Sequence, residues 1–320
     1  MKHRLVGWLG GVVLVVAMLV VAGDFAFVPR AKEPGYQFVA AWGEPGSGPG
    51  QFSDPTGIAV TGGEVFVSDA RNGRIQVFRH DGAFRRQFGE LGRPMNLAIS
   101  GDTLYVADYW TDRVEVFAVG GAHRATIGRS GSGPGEFNAP GGVAVGPGGA
   151  LSVVDFYNQR VQRFDAEGRF VDQIGETGRT GIGAGSFNYP TDAAVGPDGT
   201  LYVADGYNDR IQAFHPDGRF SHKWGGPFAI NVHGPFNGWF ATVTGIAVDT
   251  RGNVFAADFY NDRVQKFASD GTFLTAFGTA GEGPGEFNHP IAVAVATDGT
   301  VYVADFGNNR IQKWRPIRPE

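Results

Sequence analysis

The chain has no cysteine among its 320 residues, so neither disulfide bonds nor thiol chemistry can contribute. Whatever compartment it occupies, its stability must come from packing and backbone pairing. It is also poor in basic charge, with 27 Lys and Arg against 32 Asp and Glu. Phosphate-backbone binding needs a basic stripe, which argues against nucleic acid as a partner. Histidine is sparse at seven, and no glycine-rich stretch is followed by Lys-Ser/Thr at a helix start, so a phosphate-binding loop is absent. Long apolar runs are almost absent too. The exception is Leu5 to Ala22, eighteen residues without a charge, preceded by Lys2 and Arg4.

As a helix that run spans about 27 Å, close to the hydrocarbon thickness of a bilayer. A cleaved signal has a shorter apolar region, although Val20-Val21-Ala22 offers a small-residue cleavage site. We read 1–22 as a signal anchor or signal peptide, preferring the uncleaved anchor. The positive flank then stays in the cytoplasm and the rest lies outside it, membrane-anchored or, if cleaved, secreted. Without Lys2 and Arg4 the net charge of the exported part moves from −5 to −7. Residues 23–35, with Pro29 and Pro34, read as a linker.

The remainder is a six-fold repeat. Val301-Tyr302-Val303-Ala304-Asp305 and Asn308-Asn309-Arg310-Ile311-Gln312 have counterparts in five earlier stretches. The aspartates are Asp69, Asp108, Asp155, Asp205, Asp258 and Asp305, each followed five residues later by Arg74, Arg113, Arg160, Arg210, Arg263 and Arg310. An asparagine stands three after the aspartate except at Thr111. Each unit reads as a hairpin around this turn, with a Gly-Ile-Ala-Val-like strand before it and a strand ending in aromatic-Gly after it. Four strands repeated at this period describe a propeller blade. Ala59, Ala98, Ala144, Ala194, Ala247 and Ala294 share one position of the first strand, where crowding at the axis favours small side chains.

The last unit ends at Trp314 without a fourth strand, while Phe38 to Gly43 matches Phe273 to Gly278. We therefore expect an all-β, six-bladed β-propeller over 36–316, closed by its N-terminal strand, with a C-terminal tail at 317–320. These motifs resemble the NHL-repeat family, which covers nearly the whole chain after residue 36. The resemblance implies the propeller fold and a choice among RNA-binding, protein-binding, lactonase-like and amidating-lyase-like activities.

The repeat restricts that choice. Groups present in every blade, such as the Asp and Arg pairs, read as structural devices bridging the hairpin mouth, with the asparagine taking the left-handed turn position. The Gly-rich stretches 43–50, 128–135 and 278–285 read as blade connectors. Amidating lyases of similar fold carry histidines just after the proline that precedes the first strand. Here Thr56, Met95, Gly141, Thr191 and Ile291 stand there, with Thr244 in the remaining blade, and none is histidine. Only His233 and His289 fall near the same face, a poor zinc set. Asn96 and Asp192 stand at the channel mouth, where a lactonase-like propeller would hold a divalent cation with oxygen ligands.

Symmetry breaks in the connector 225–242, which departs from the Gly-x-Gly-Pro-Gly-Glu-Phe pattern. With Trp239, His233 and Phe236, and with Tyr207, Tyr260, Tyr157 and Trp110 from the turns, it makes either a plug over the ring or a binding platform. The expectation is a monomeric binding or scaffold module for a protein, peptide or glycan, without nucleic acid, zinc or other cofactor. The alternative is a propeller hydrolase or lyase with a divalent ion at the mouth.

Overall fold

In the computed structural model, residues 28–318 are described, and they form six four-stranded antiparallel sheets around a central axis. Residues 1–22, where the anchor or signal is expected, lie outside them. Among the described residues no helix is long and apolar enough to cross a membrane. The first blade is Pro55–Val60, Glu64–Asp69, Arg74–Arg79 and Phe84–Phe88. Each strand pairs with the next in sequence, and the second to fifth blades repeat the order. In the sixth, Pro290–Val295, Val301–Asp305 and Arg310–Pro316 are followed by Tyr36–Trp42 as the outermost strand.

That outer strand pairs Tyr36 with Pro316 and Trp42 with Ile311, with an irregularity at Val39. Its aromatic rings engage three blades. Tyr36 packs on Phe255 and Phe277 of the fifth blade, Phe38 on Trp314 of the sixth, and Trp42 on Phe78 of the first.

First strands lie innermost, and all six line an axial channel of about 220 Å³. Their backbones approach so closely that Gly142 cannot carry a Cβ, which would strike Asp192 of the next blade. The alternating side chains of the other strands fill the spaces between blades, giving one apolar cluster at each interface.

The repeated Asp, Asn and Arg form a buried polar device in five blades. In the fourth, Asp205 Oδ2 accepts from Arg210 Nε at 2.7 Å, from Asn208 Nδ2 at 2.9 Å and from Gln212 Nε2 at 3.1 Å. Arg210 spends its other donors on the carbonyls of Ile182, Gly183, Ser186 and Ala229. The device therefore clamps each hairpin to its own connector, confirming that the Gly-rich stretches are connectors. Buried charges persist because they are paired and hydrogen-bonded: all five Arg210 donors are used, and Asp205 accepts at both oxygens.

The second blade is an exception. Arg113 does not reach Asp108 and lies 3.6 Å from Glu115, which replaces the glutamine of the other blades. Asp108 keeps the connector N–H that every aspartate of the repeat accepts, here from Gly92, and adds a second from Arg93, both at 2.8 Å. This blade has a short connector, Gly89 to Arg93, that leaves no loop for an arginine to clamp.

The left-handed turn position is also not the asparagine. It is the next residue: Gly73, Asp112, Gln159, Asp209, Asp262 and Asn309, with φ between 48° and 62°. Five of these side chains reach the following blade. Asn309, Asp112, Gln159, Asp209 and Asp262 accept from the N–H of Asp54, Ala139, Tyr189, Thr242 and His289, at 2.6 to 3.0 Å. Each blade is thus latched to the next through its turn. Gly73 has no side chain, so the step from the first blade to the second lacks this latch.

Candidate functional site at the axial mouth

Hairpin turns and connectors share one face of the ring, here called the top. At the start of every first strand the register slips by one residue, as between Pro55 and Gly57. Such bulges re-aim side chains. Thr56, Met95, Gly141, Thr191, Thr244 and Ile291 consequently converge on the axis, where they line a pocket of about 330 Å³ with Arg93, Asn96, Tyr109, Trp110 and Phe156.

Around this pocket runs an aromatic belt supplied by three positions of the repeat: the two residues after the aspartate and the one before the first strand. One arc comes from the second to fourth blades. Tyr109 donates its hydroxyl to Tyr157 at 3.0 Å, Phe156 lies 5.0 Å by ring centroid from both Tyr157 and Tyr189, and Tyr189 lies 5.1 Å from Tyr207. Burial and the Tyr157 hydroxyl push the Tyr109 phenol well above its usual range, so it stays protonated. The second arc is Phe259, Tyr260, His289 and Phe306, with Phe259 4.7 Å from His289. Trp110 stands out from the first arc at 64% exposure.

The first blade breaks the belt with charge. Asp54 bridges Arg71 at 2.5 Å and Arg93 at 3.3 Å, and Arg93 also lies 5.5 Å from the Trp110 ring. Among the described residues lining the pocket, Arg93 is the one with a charged side chain. The mouth is therefore aromatic, weakly polar and cationic at one edge.

Below it, Asp192 does not sit at an open mouth. It is buried in the channel, where Oδ2 accepts from Ile246 N at 2.9 Å across the interface to the fifth blade. Asn96, two blades away, also reaches it. Burial pushes the Asp192 carboxyl up to about 8, outweighing the Ile246, Ala193 and Asn96 donors that favour its charged form. One carboxyl and one amide, with the carboxyl already occupied by N–H donors, do not fit a divalent cation that takes six to eight oxygens. Among the described residues no group of three or more His, Cys, Asp or Glu converges as a metal site.

This geometry carries a pH dependence. The folded-state value of Asp192 lies above the unfolded value near 3.9. The neutral acid thus stabilises the ring fully below about pH 4, and that contribution is lost as pH rises toward about 8. Among the described residues lining the channel, Asp192 alone titrates. Asp192→Asn, which holds its hydrogen bonds without a charge, should flatten the fall in melting temperature between pH 5 and 8 relative to the parent. Parallel curves for the two proteins would show that Asp192 is ionised throughout.

The connector residues fall elsewhere. None of 225–242 lines the axial pocket, so the segment is not a plug over the ring. Gly234 to Phe240 follows the common connector geometry after all: Gly234 N donates to Phe240 O as Gly281 N does to Phe287 O, and Arg263 clamps the carbonyls of Pro235, Phe236 and Trp239. The departure is the preceding insertion, around the tight turn Pro227–Ala229. Trp239 packs edge-on against Phe236 with ring centroids 5.1 Å apart, and Trp239, Phe236 and His233 do not line the mouth. Of the expected platform, Trp110, Tyr157, Tyr207 and Tyr260 stand in the belt, whereas Trp239, His233 and Phe236 form a separate rim feature. Phe156, Tyr189, Phe259, Phe306 and Arg93 were not singled out from the sequence. The six repeats aligned position by position mark them, because the residues just after the constant aspartate and just before the first strand are the ones that vary.

Comparison with known proteins agrees with the fold. The NHL repeat model matches residues 52–78, 187–214 and 287–314, and a model described as a 6-bladed beta-propeller matches 89–172. A B-box type zinc finger protein, ncl-1, of Caenorhabditis elegans is 49% identical over 47 residues, 14% of this chain. The chain spans only 6% and 5% of the lengths of the curated relatives it matches. A Bacteroides thetaiotaomicron protein of unknown function superposes with a TM-score of 0.70 at 19% identity, covering 88% of this chain and 76% of that one. Virginiamycin B lyase from Staphylococcus aureus does so with a TM-score of 0.56 at 16% identity, covering 89% and 90%. Likeness at such identities speaks for the fold alone. The repeats, the six sheets and the two matching models together place this chain among the NHL-repeat six-bladed β-propellers.

Proposed function

We propose that the protein is a binding module, tethered to the membrane by residues 5–22 with its propeller outside the cytoplasm, and that it captures a protein or peptide at the axial mouth. The observation that carries this reading is the aromatic belt around a pocket in which, among the described lining residues, Arg93 alone is charged. Aromatic rings offer large contact area at low entropic cost, and an arginine at their edge suits an acidic group on the partner. A glycan could stack on the same rings, but the mouth offers few polar groups to read its hydroxyls: the Thr56 and Thr191 hydroxyls already donate to the carbonyls of Pro94 and Val243.

Photocrosslinking of partners from cells, followed by affinity measurement, tests this. Trp110→Ala should weaken capture by roughly thirtyfold, the equivalent of about 2 kcal/mol for an interface anchor, without shifting the melt. Asp217→Ala on the opposite face should leave capture intact. Equal capture by all three proteins would remove the mouth as the binding site.

A further inference from the structure

Where the chain leaves the ring toward its N-terminus is informative. Lys32 N donates to Leu274 O on the outer edge of the fifth blade, and Pro29 then packs on Gly238, its carbonyl accepting from Asn237 Nδ2 at 3.1 Å. Pro29 therefore sits on the rim beside the inserted connector. Six residues separate it from Ala22, a reach of about 25 Å at full extension.

That same rim exposes apolar side chains. Phe228 is 73% exposed, and Ile230, Val232 and Phe236 are exposed beside it. Ile182 joins them from the neighbouring connector, since Arg210 Nη1 donates to the carbonyls of both Ile182 and Ala229. Charge is sparse at the apolar tips: 225–242 and 180–187 contain no Asp, Glu, Lys or Arg, while Glu176 and Arg179 stand at the start of the fourth blade's connector and Lys223 Nζ donates to Ile182 O at 3.3 Å. The connectors remote from this rim do carry charge, including Glu44, Glu136, Glu282 and Glu286. Part of the backbone around the apolar tips is internally bonded: Ile182 O and Ala229 O accept from Arg210 Nη1, and the carbonyls of Pro235, Phe236 and Trp239 accept from Arg263. A loop whose carbonyls are internally bonded can enter an apolar medium without the cost of bare polar groups.

We propose that this rim of the fourth and fifth blades rests on the bilayer, with Phe228, Ile230 and Ile182 dipping into its interfacial layer. The inference rests on reading residues 5–22 as an anchor. Lipid is favoured over a protein partner because the chain itself holds the patch close to the membrane. The exposed Lys32 on the approach suits anionic headgroups. Docked in this way, the ring turns its top face toward the membrane surface.

The absence of cysteine makes the test direct. Phe228→Cys, Ile182→Cys and, on the opposite face, Asp217→Cys are each labelled with an environment-sensitive dye in the full chain. The chain is reconstituted in phosphatidylethanolamine and phosphatidylglycerol vesicles. Labels at 228 and 182 should shift to the blue and be quenched by spin-labelled lipids at a depth of about 5–10 Å, with the 217 label unchanged. Carbonate-resistant association with an unquenched 228 label would overturn the docking inference and leave the anchor standing. A blue-shifted 228 label that lipids do not quench would show that protein covers the rim, and would overturn it as well. Loss of the chain from the vesicles in carbonate would remove the anchor and the inference together.

Discussion

Deleting residues 36–43 should abolish cooperative folding of the ring. The deletion removes the outermost strand of the sixth blade and leaves the edge of Arg310–Pro316 open, a template for aggregation. It also removes Tyr36, Phe38 and Trp42, which pack on the fifth, sixth and first blades. Each large aromatic lost from a core costs about 3–5 kcal/mol, so three of them approach the 5–15 kcal/mol that typically holds a domain together. A milder variant keeps the expectation measurable if the deletion fails to express. Tyr36→Ala, at a buried position, should lower the melting temperature by on the order of 10 °C. A melt unchanged in both variants would mean that the inter-blade latches alone hold the ring shut, Asn309 to Asp54 among them.

The second large effect is expected at the buried polar device. Arg210 and Asp205 are both fully buried, and the guanidinium makes five hydrogen bonds. Arg210→Ala leaves an unpaired carboxylate and four carbonyls with fewer donors, which should destabilise by about 3–5 kcal/mol. The second blade supplies the control. Arg113 is 43% exposed and does not reach Asp108, so Arg113→Ala should stay within about 0.5 kcal/mol of the parent. Chemical denaturation of the two variants side by side measures the difference. Equal losses at 210 and 113 would show that the clamp on the connector contributes nothing beyond a surface ion pair.

Such a contrast between blades is partly written in the chain. Thr111 and Glu115 replace the asparagine and glutamine of the other repeats, and the connector before them is short. What the substitutions do not reveal is what replaces the lost side-chain donors of Asp108, because the added donor is the Arg93 backbone N–H, placed by the connector's own path. The connector 225–242 shows the opposite case. Its residues look foreign to the pattern, yet Gly234 to Phe240 folds as the others do, since the clamp from Arg263 reads carbonyls rather than side chains. The inserted residues before it had hidden the register.

By itself the sequence determined the strand count, the six blades and the place of each constant Asp and Arg. Period-2 alternation and turn chemistry are local, and a repeat makes the same local statement six times. The match of 38–43 to 273–278 likewise identified a strand without a blade of its own. Only the tertiary structure decided which variable residues meet. Tyr109, Phe156 and Tyr189 are separated by 33 to 47 residues along the chain and become neighbours because the ring brings successive turns together at the axis. Asp192 is polar by sequence, but its neutral, bridging state follows from burial between first strands that Gly142 allows to approach. Pro29 and Phe228 are nearly two hundred residues apart, and their shared rim exists because the chain's first segment runs along the outer edge of the fifth blade. Distances of this kind are set by closure of the ring, which no local pattern encodes.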